Sequence, residues 1–287
     1  MTHPMICIAP IILTVIALLA APEMAAGKPR RIVSLYLCAD ELVLQLAEQK
    51  NIASVSFLAR DPDNSNVAAL AARTPVNAGH AEEIVAQRPD MVLAGVYTTR
   101  PAVALLKRTG VPLIELGVPR NLDDVRHDIR AVAKAIDETE IGERMVAAID
   151  ARLAALPSPQ RNNRPSAFIL NPNGFATGAG SLADEILAHA GFENRAATLG
   201  INNYGQLPLE VLIRSGVDLV IFNADRDGPP SLATDFLHHP AFEILGRRTR
   251  MITLPSRLWT CGGPAIVEAI ERLALIASEL RPAEARR

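Results

Sequence analysis

Beyond its first few dozen residues, the chain alternates short apolar runs with longer stretches in which apolar residues recur every three or four positions. The runs predict strands at Arg31–Tyr36, Ile52–Ser56, Met91–Gly95, Val111–Leu116, Ala167–Asn171, Asp218–Phe222 and Arg250–Leu254. The helical period predicts helices at Ala39–Gln49, Glu82–Gln87, Pro101–Arg108, Leu182–His189, Leu209–Ser215 and Pro264–Leu280. In the first of these, Asp40 and Glu41 sit in the first turn, where acidic groups favour the helix dipole. Wholly apolar strands separated by helices indicate mainly parallel sheets covered on both faces, an α/β architecture.

The alternation stops between Leu122 and Leu156. That stretch has no proline and one glycine, Gly142, and its apolar residues keep helical spacing until Pro157 and Pro159 end it. One linking helix of about 30 residues, with Gly142 as its weak point, is the simplest reading. The chain then divides into an N-terminal α/β lobe at 27–121, a long rigid helix at 122–156 and a C-terminal α/β lobe at 157–287. "EEIVAQRPDMVLAG" in the first half parallels "LEVLIRSGVDLVIF" in the second, which fits two related lobes with a ligand cleft between them.

Residues 1–26 stand apart. Ile6 to Ala21 is almost wholly apolar and small residues follow at Ala25, Ala26 and Gly27, the pattern of a secretory signal peptide cut near Ala26. The run is long for a signal and lacks Lys or Arg before it, so an uncleaved anchor is the competing expectation. Cleavage removes Cys7 and leaves an exported chain with two cysteines, Cys38 and Cys261. An even pair in an oxidising compartment permits a disulfide without requiring one. The formal charge of −2 becomes −1 once Glu23 is lost, which implies neither a nucleic-acid surface nor an acidic tail.

Motifs for catalysis are scarce. "TGAGS" at 177–181 lacks the Lys-Ser/Thr of a nucleotide loop and the third glycine of a dinucleotide loop, so it reads as a strand-to-helix turn capped by Ser181. There is no Gly-x-Ser-x-Gly, His-Glu-x-x-His or Cys-x-x-Cys, and of His80, His127, His189, His238 and His239 only the last two are neighbours. No metal site is expected from them. Cys38, in "SLYLCADEL", is open to four readings: nucleophile, metal ligand, disulfide partner or buried small residue. It and Cys261, in "RLWTCGGP", both fall after a strand and before a helix, at the sheet edge where open parallel sheets bind ligands. The few aromatics gather there too. Tyr36, Phe57, Tyr97, Phe175, Tyr204 and Trp259 lie at strand ends or in connecting loops, as a flat ligand surface between lobes would require.

The order and spacing of "RRIVSLYLCADELVLQLA", "AGHAEEIVAQRPDMVLAG", "GFATGAGSLADEILAHAGFENRAA", "YGQLPLEVLIRSGVDLVIF" and "GPAIVEAIERLA" resemble the periplasmic substrate-binding proteins of ABC importers for cobalamin, haem and ferric siderophores. The resemblance spans about residues 29–281. It implies two α/β lobes joined by a rigid helix, little closure on binding, no catalysis and no cofactor. It implies a soluble, monomeric periplasmic receptor that delivers a metal chelate to a permease and its ATPase. It also implies one permease-docking glutamate per lobe, matched here by Glu82 (with Glu83 one register away) and Glu210.

This chain departs from the family at Leu37–Glu41 and at Trp259–Gly263, both at the expected cleft. The expected ligand-binding set is Tyr36, Cys38, Phe57, Arg60, Tyr97, Arg100, Phe175, Tyr204, Trp259 and Cys261. Arg60 and Arg100 are the candidates to meet an anionic siderophore or haem propionates. Cobalamin is favoured as ligand, with ferric siderophores and haem next. The competing expectations are an exported enzyme using a cleft cysteine and a direct metal-ion receptor.

Overall fold

The computed structural model describes residues 27–98, 100–158, 163–223 and 235–280. The expected signal peptide at 1–26 lies outside them, and among the described residues no helix is long and apolar enough to cross a membrane.

The first lobe alternates strand and helix. Strand β1 (Ile32–Ser34) leads into α1 (Leu37–Leu46), β2 (Ile52–Ser56), α2 (Ala68–Ala71), β3 (Val76–Asn77), α3 (Ala81–Ala86), β4 (Met91–Gly95), α4 (Arg100–Arg108) and β5 (Leu113–Leu116). The strands form one parallel sheet in the order β3-β2-β1-β4-β5. Every residue of β1 and β4 is buried, because helices cover both faces.

The second lobe begins with β6 (Ser166–Asn171), β7 (Phe175–Thr177), α7 (Leu182–His189), β8 (Glu193–Asn194), α8 (Arg195–Thr198) and β9 (Tyr204–Gln206). It continues through α9 (Leu209–Arg214), β10 (Leu219–Phe222), α10 (Ala241–Leu245), β11 (Arg250–Thr253) and α11 (Ala265–Leu280). The sheet runs β11-β10-β6-β7-β9, with β8 also on β6. Strands β10, β11 and β8 are parallel to their neighbours, whereas β6–β7 and β7–β9 pair antiparallel. The parallel sequence stretches noted above occupy matching places: α3 feeds β4 and α9 feeds β10, each one strand in from a sheet edge.

The expected single linking helix is two. A helix over Leu122–Ala135, α5, and another over Thr139–Ala154, α6, fold back on each other as an antiparallel hairpin. Arg126 pairs with Asp150 and Arg130 with Glu143, pairs whose positions converge towards the turn. The turn is a Schellman motif without glycine. Asp137 takes a left-handed φ of 57°, its N–H donates to Lys134 O, and the Glu138 N–H donates to Ala133 O. Gly142 does mark the irregularity, but as a contact rather than a break. A Cβ there would lie 2.4 Å from the Ala133 Cβ, so glycine lets the two helices touch. The hairpin spans the lobes: α5 packs on α1, and α6 reaches α11, where Arg152 pairs with Glu271.

Packing follows the two-residue strand period. Ile32, Leu93, Ile169, Leu219 and Ile221 join one core that runs through both lobes and the hairpin. The alternate residues Val33 and Val92, and Phe168, Leu170, Val220 and Phe222, face two smaller clusters on the outer sides. The first-turn acids of α1 are not surface groups. Asp40 is fully buried and accepts from the Ser56 N–H (3.1 Å) and hydroxyl, which ties α1 to β2. Burial pushes its carboxyl up to about 6, with the Ser34 and Ser56 hydrogen bonds opposing the rise.

Candidate functional site

The carboxyl ends of β1, β4 and β10, with Thr177 of the antiparallel β7, border a cavity of about 510 Å³ between the lobes. This is the edge where strand ends and connecting loops leave unpaired polar groups beside apolar walls. From the first lobe come Tyr36, Tyr97, Val118, Pro119 and Arg120, and from the second Thr177, Gly180–Ala183, Asn203, Tyr204, Asn223, Trp259 and Thr260.

Each aromatic is placed by its element. Tyr36 directly precedes α1 and lies flat against the end of β4, where a Cβ on Gly95 would come within 2.7 Å of its ring. Burial pushes the Tyr36 phenol up, and the Asp128 carboxylate and the Tyr97 phenol add to that. Tyr97, at the turn after β4, and Tyr204, at the start of β9, are 84% and 61% exposed and form the rim. Trp259 is buried at the floor, and its indole N–H donates to Asn223 Oδ1 at 2.7 Å.

Charge at the cavity is one-sided. Arg120 brings the one guanidinium, and among the described residues no carboxylate lines the wall. Its Nε donates across the lobe boundary to Gly180 O at 3.1 Å, which orients the group without neutralising it. Arg120 makes no ion pair among the described residues, so its remaining N–H groups are open to a ligand. It lies between the capped starts of two helices. Asn121 Oδ1 accepts from Asp124 N at the head of α5, and Ser181 Oγ accepts from Asp184 N at the head of α7. The "TGAGS" segment thus forms the turn and cap expected of it.

Outside the lining but adjoining it in the chain, next to Thr260 and two residues from Tyr36, Cys38 and Cys261 form a disulfide with their Cα atoms 5.0 Å apart. Both are buried, and the bond ties the first turn of α1 to the segment before α11. The lobes are held beside it by Asn66, which donates to Arg257 O (2.6 Å) and to Glu41 (3.0 Å) and accepts from Arg257 Nη1 (3.0 Å). Gly262 lies so close to Pro119 that a Cβ would approach it to 2.9 Å.

Of the residues expected from sequence, Tyr36, Tyr97, Tyr204 and Trp259 meet at the cavity, with Cys38 and Cys261 behind them. The others lie elsewhere. Phe57 and Phe175 are surface residues outside the lining. Arg60 turns inward along its own lobe, donating to Ala71 O (3.2 Å) and Thr74 O (2.8 Å). Arg100 is exposed at the start of α4. Sequence reasoning passed over Arg120, Thr177 and Asn223. The rule that selected Arg60 and Arg100, an arginine shortly after a strand, also fits Arg120 after β5. Asn223 directly follows β10, and Thr177 ends β7.

Glu82 and Glu210 are exposed in the first turns of α3 and α9, one on each lobe. Glu83 is engaged locally, accepting from Ala78 N at 2.9 Å. Among the described residues no group of three or more His, Cys, Asp or Glu gathers that could hold a metal ion.

A family model described as periplasmic binding protein matches residues 32–256. No curated protein matches the chain. The periplasmic heme-binding protein of Roseiflexus sp. RS-1, in apo form, is 25% identical with a TM-score of 0.71, over 88% of this chain and 98% of that one. A periplasmic heme-binding protein of Vibrio cholerae is 17% identical with a TM-score of 0.70, over 87% and 99%. The periplasmic vitamin B12-binding protein of Vibrio cholerae is 17% identical with a TM-score of 0.67, over 88% and 97%. The last two share the fold.

Proposed function

The chain belongs to the periplasmic binding protein family, and from that premise we propose that it is the exported solute-binding component of an ABC importer. It captures a metal chelate in the inter-lobe cavity and presents it to a membrane permease. The observation that carries this reading is the make-up of the cavity, whose lining combines aromatic rings from both lobes with one open guanidinium. Such a surface fits a large, flat, partly apolar ligand with an acidic arm.

Within that class an acidic tetrapyrrole of the haem type fits best. A carboxylate accepts from a guanidinium in two parallel bonds, and phenols such as Tyr97 and Tyr204 are suitable ligands for ferric iron. The heme-binding protein of Roseiflexus, at 25% identity, supports that order. A corrinoid, favoured from the aromatic content alone, offers amide-tipped arms to the same guanidinium, a weaker pairing. The amides of Asn203 and Asn223 in the lining keep it as the second reading.

Titration of the purified protein with hemin, cyanocobalamin and a ferric hydroxamate, followed by visible absorption, tests the proposal. One of the three should saturate at one equivalent without turnover. Arg120→Ala should weaken hemin by roughly tenfold or more, the scale of a hydrogen bond to a charged group. If none of the three chelates saturates the wild type, the transport reading falls.

A further inference from the structure

A chain of side-chain hydrogen bonds runs from the buried Trp259 through the half-buried Asn223 and Asn171 to the buried Thr177 in the second lobe, and chemistry fixes its direction. An indole N–H can only donate, and that of Trp259 meets Asn223 Oδ1 at 2.7 Å. Asn223 therefore turns its amide nitrogen the other way, to Asn171 Oδ1 at 2.8 Å. Asn171 must then present its own amide nitrogen to Thr177 Oγ1, 2.9 Å away. An amide flip at either asparagine would set donor against donor, so the order admits no reversal.

Thr177 ends the chain. It is 1% exposed and lines the cavity. Its hydroxyl oxygen is used as an acceptor by Asn171, and its backbone carbonyl accepts from Asn194 Nδ2 at 3.2 Å. The hydroxyl proton has no acceptor among the described residues. A buried donor left without a partner is destabilising, and a ligand oxygen arriving in the cavity removes that penalty. Bonds donated in series also polarise one another, which strengthens the last donor.

We infer that Thr177 is a specificity-determining donor of the cavity, whose O–H is aimed by the Trp259–Asn223–Asn171 relay at an acceptor oxygen of the ligand, a carboxylate or an amide carbonyl. The assignment rests on the proposal that the cavity holds a chelate. It adds a second polar contact to Arg120, which is anchored on Gly180, three residues further along the same turn. A ligand lacking an oxygen at this point leaves the hydroxyl unpaired and is disfavoured accordingly.

The test titrates hemin, cyanocobalamin and a ferric hydroxamate against wild type, Thr177→Val, Thr177→Ser and Asn171→Asp. Thr177→Val, which keeps the shape and removes the hydroxyl, should weaken the bound chelate about tenfold, and Thr177→Ser should restore it to within about twofold. Asn171→Asp keeps its shape but offers Thr177 an acceptor, which turns the O–H away from the cavity. It should weaken binding, and should cost nothing further in the Thr177→Val background, whereas a simple charge effect would persist there. If circular dichroism shows Thr177→Val unfolded, Thr177→Ala takes its place in both comparisons. Undiminished binding by the Thr177 variant, or a loss from Asn171→Asp that persists without the hydroxyl, overturns the assignment while leaving the transport reading intact. A wild type that binds none of the three overturns both.

Discussion

Cys38 and Cys261, 223 positions apart in the chain, are covalently joined with their Cα atoms 5.0 Å apart, between the first helix of one lobe and the last helix of the other. The bond lies two residues from Tyr36 and two from Trp259, so it underpins one aromatic wall from each lobe. Replacing both cysteines with serine should cost roughly 3–5 kcal/mol, as expected when a bond that closes a long loop is lost. Denaturant unfolding of oxidised wild type against the double variant measures this. An unchanged midpoint would show that the lobes hold together without the bond.

Asp40 gives a pH dependence whose sign is set by its burial. Its folded carboxyl titrates near 6 against an ordinary value of 3.8, so the folded state prefers the protonated form. The contribution to stability is fully present below about 3.8 and is lost as pH rises through about 6. Asp128, half-buried on α5, is pushed up to about 6 by the same cause and acts in the same direction. Asp40→Asn should therefore flatten, without abolishing, the fall in unfolding free energy between about pH 4 and 6, by roughly 2–3 kcal/mol. Parallel slopes for wild type and variant across that window would refute the assignment to Asp40.

Gly142→Ala sets two effects against each other. Alanine in a helix interior gains about 1 kcal/mol over glycine from propensity. Here the added methyl would sit 2.4 Å from the Ala133 methyl, and forcing the hairpin apart costs roughly 1–3 kcal/mol. Steric conflict should prevail, lowering the melting temperature, and Ala133→Gly should restore it in the double variant. Stabilisation by Gly142→Ala alone would mean that the hairpin is more loosely packed than described.

Glu82 and Glu210 are the carboxylates expected to dock on the permease. Glu82 is preferred to Glu83 because Glu83 is engaged by Ala78 N. Charge reversal at both, Glu82→Lys with Glu210→Lys, should leave chelate titrations unchanged while suppressing uptake in cells and stimulation of the importer's ATPase. Each single reversal should show a smaller, salt-sensitive loss. Uptake that survives the double reversal would place the docking surface elsewhere.

Legibility in the sequence followed the strength of local signals. Strands β2 and β4 and helix α7 were readable to the residue, since Gly, Pro, Ser and the apolar runs punctuate them. The antiparallel pair β7 and β9 escaped notice because each is three residues long, and their sequences, FAT and YGQ, carry no clear alternation. The α5–α6 turn was hidden because its left-handed residue is Asp137, where glycine would have signalled a stop. The loop aromatics Tyr36, Tyr97, Tyr204 and Trp259 were found by position alone. Arg60 and Arg120 show the limit of that approach. Both follow strands, and only tertiary contacts separate the one that anchors its own loop from the one that reaches across the lobes.

The core that passes unbroken through both sheets and the helical hairpin has a kinetic consequence. Swinging the lobes apart would expose apolar side chains on both sides of the boundary and strain the Cys38–Cys261 link. The lobes are therefore held around a formed cavity, and if it receives a chelate as proposed, binding should follow a single bimolecular step without a slow isomerisation, which stopped-flow absorption would check. Little binding free energy would then go into ordering the protein, and slow dissociation is the expected result. In the transport role proposed above, unloading at the membrane would then require work from outside the protein, supplied by a partner acting on both lobes at once.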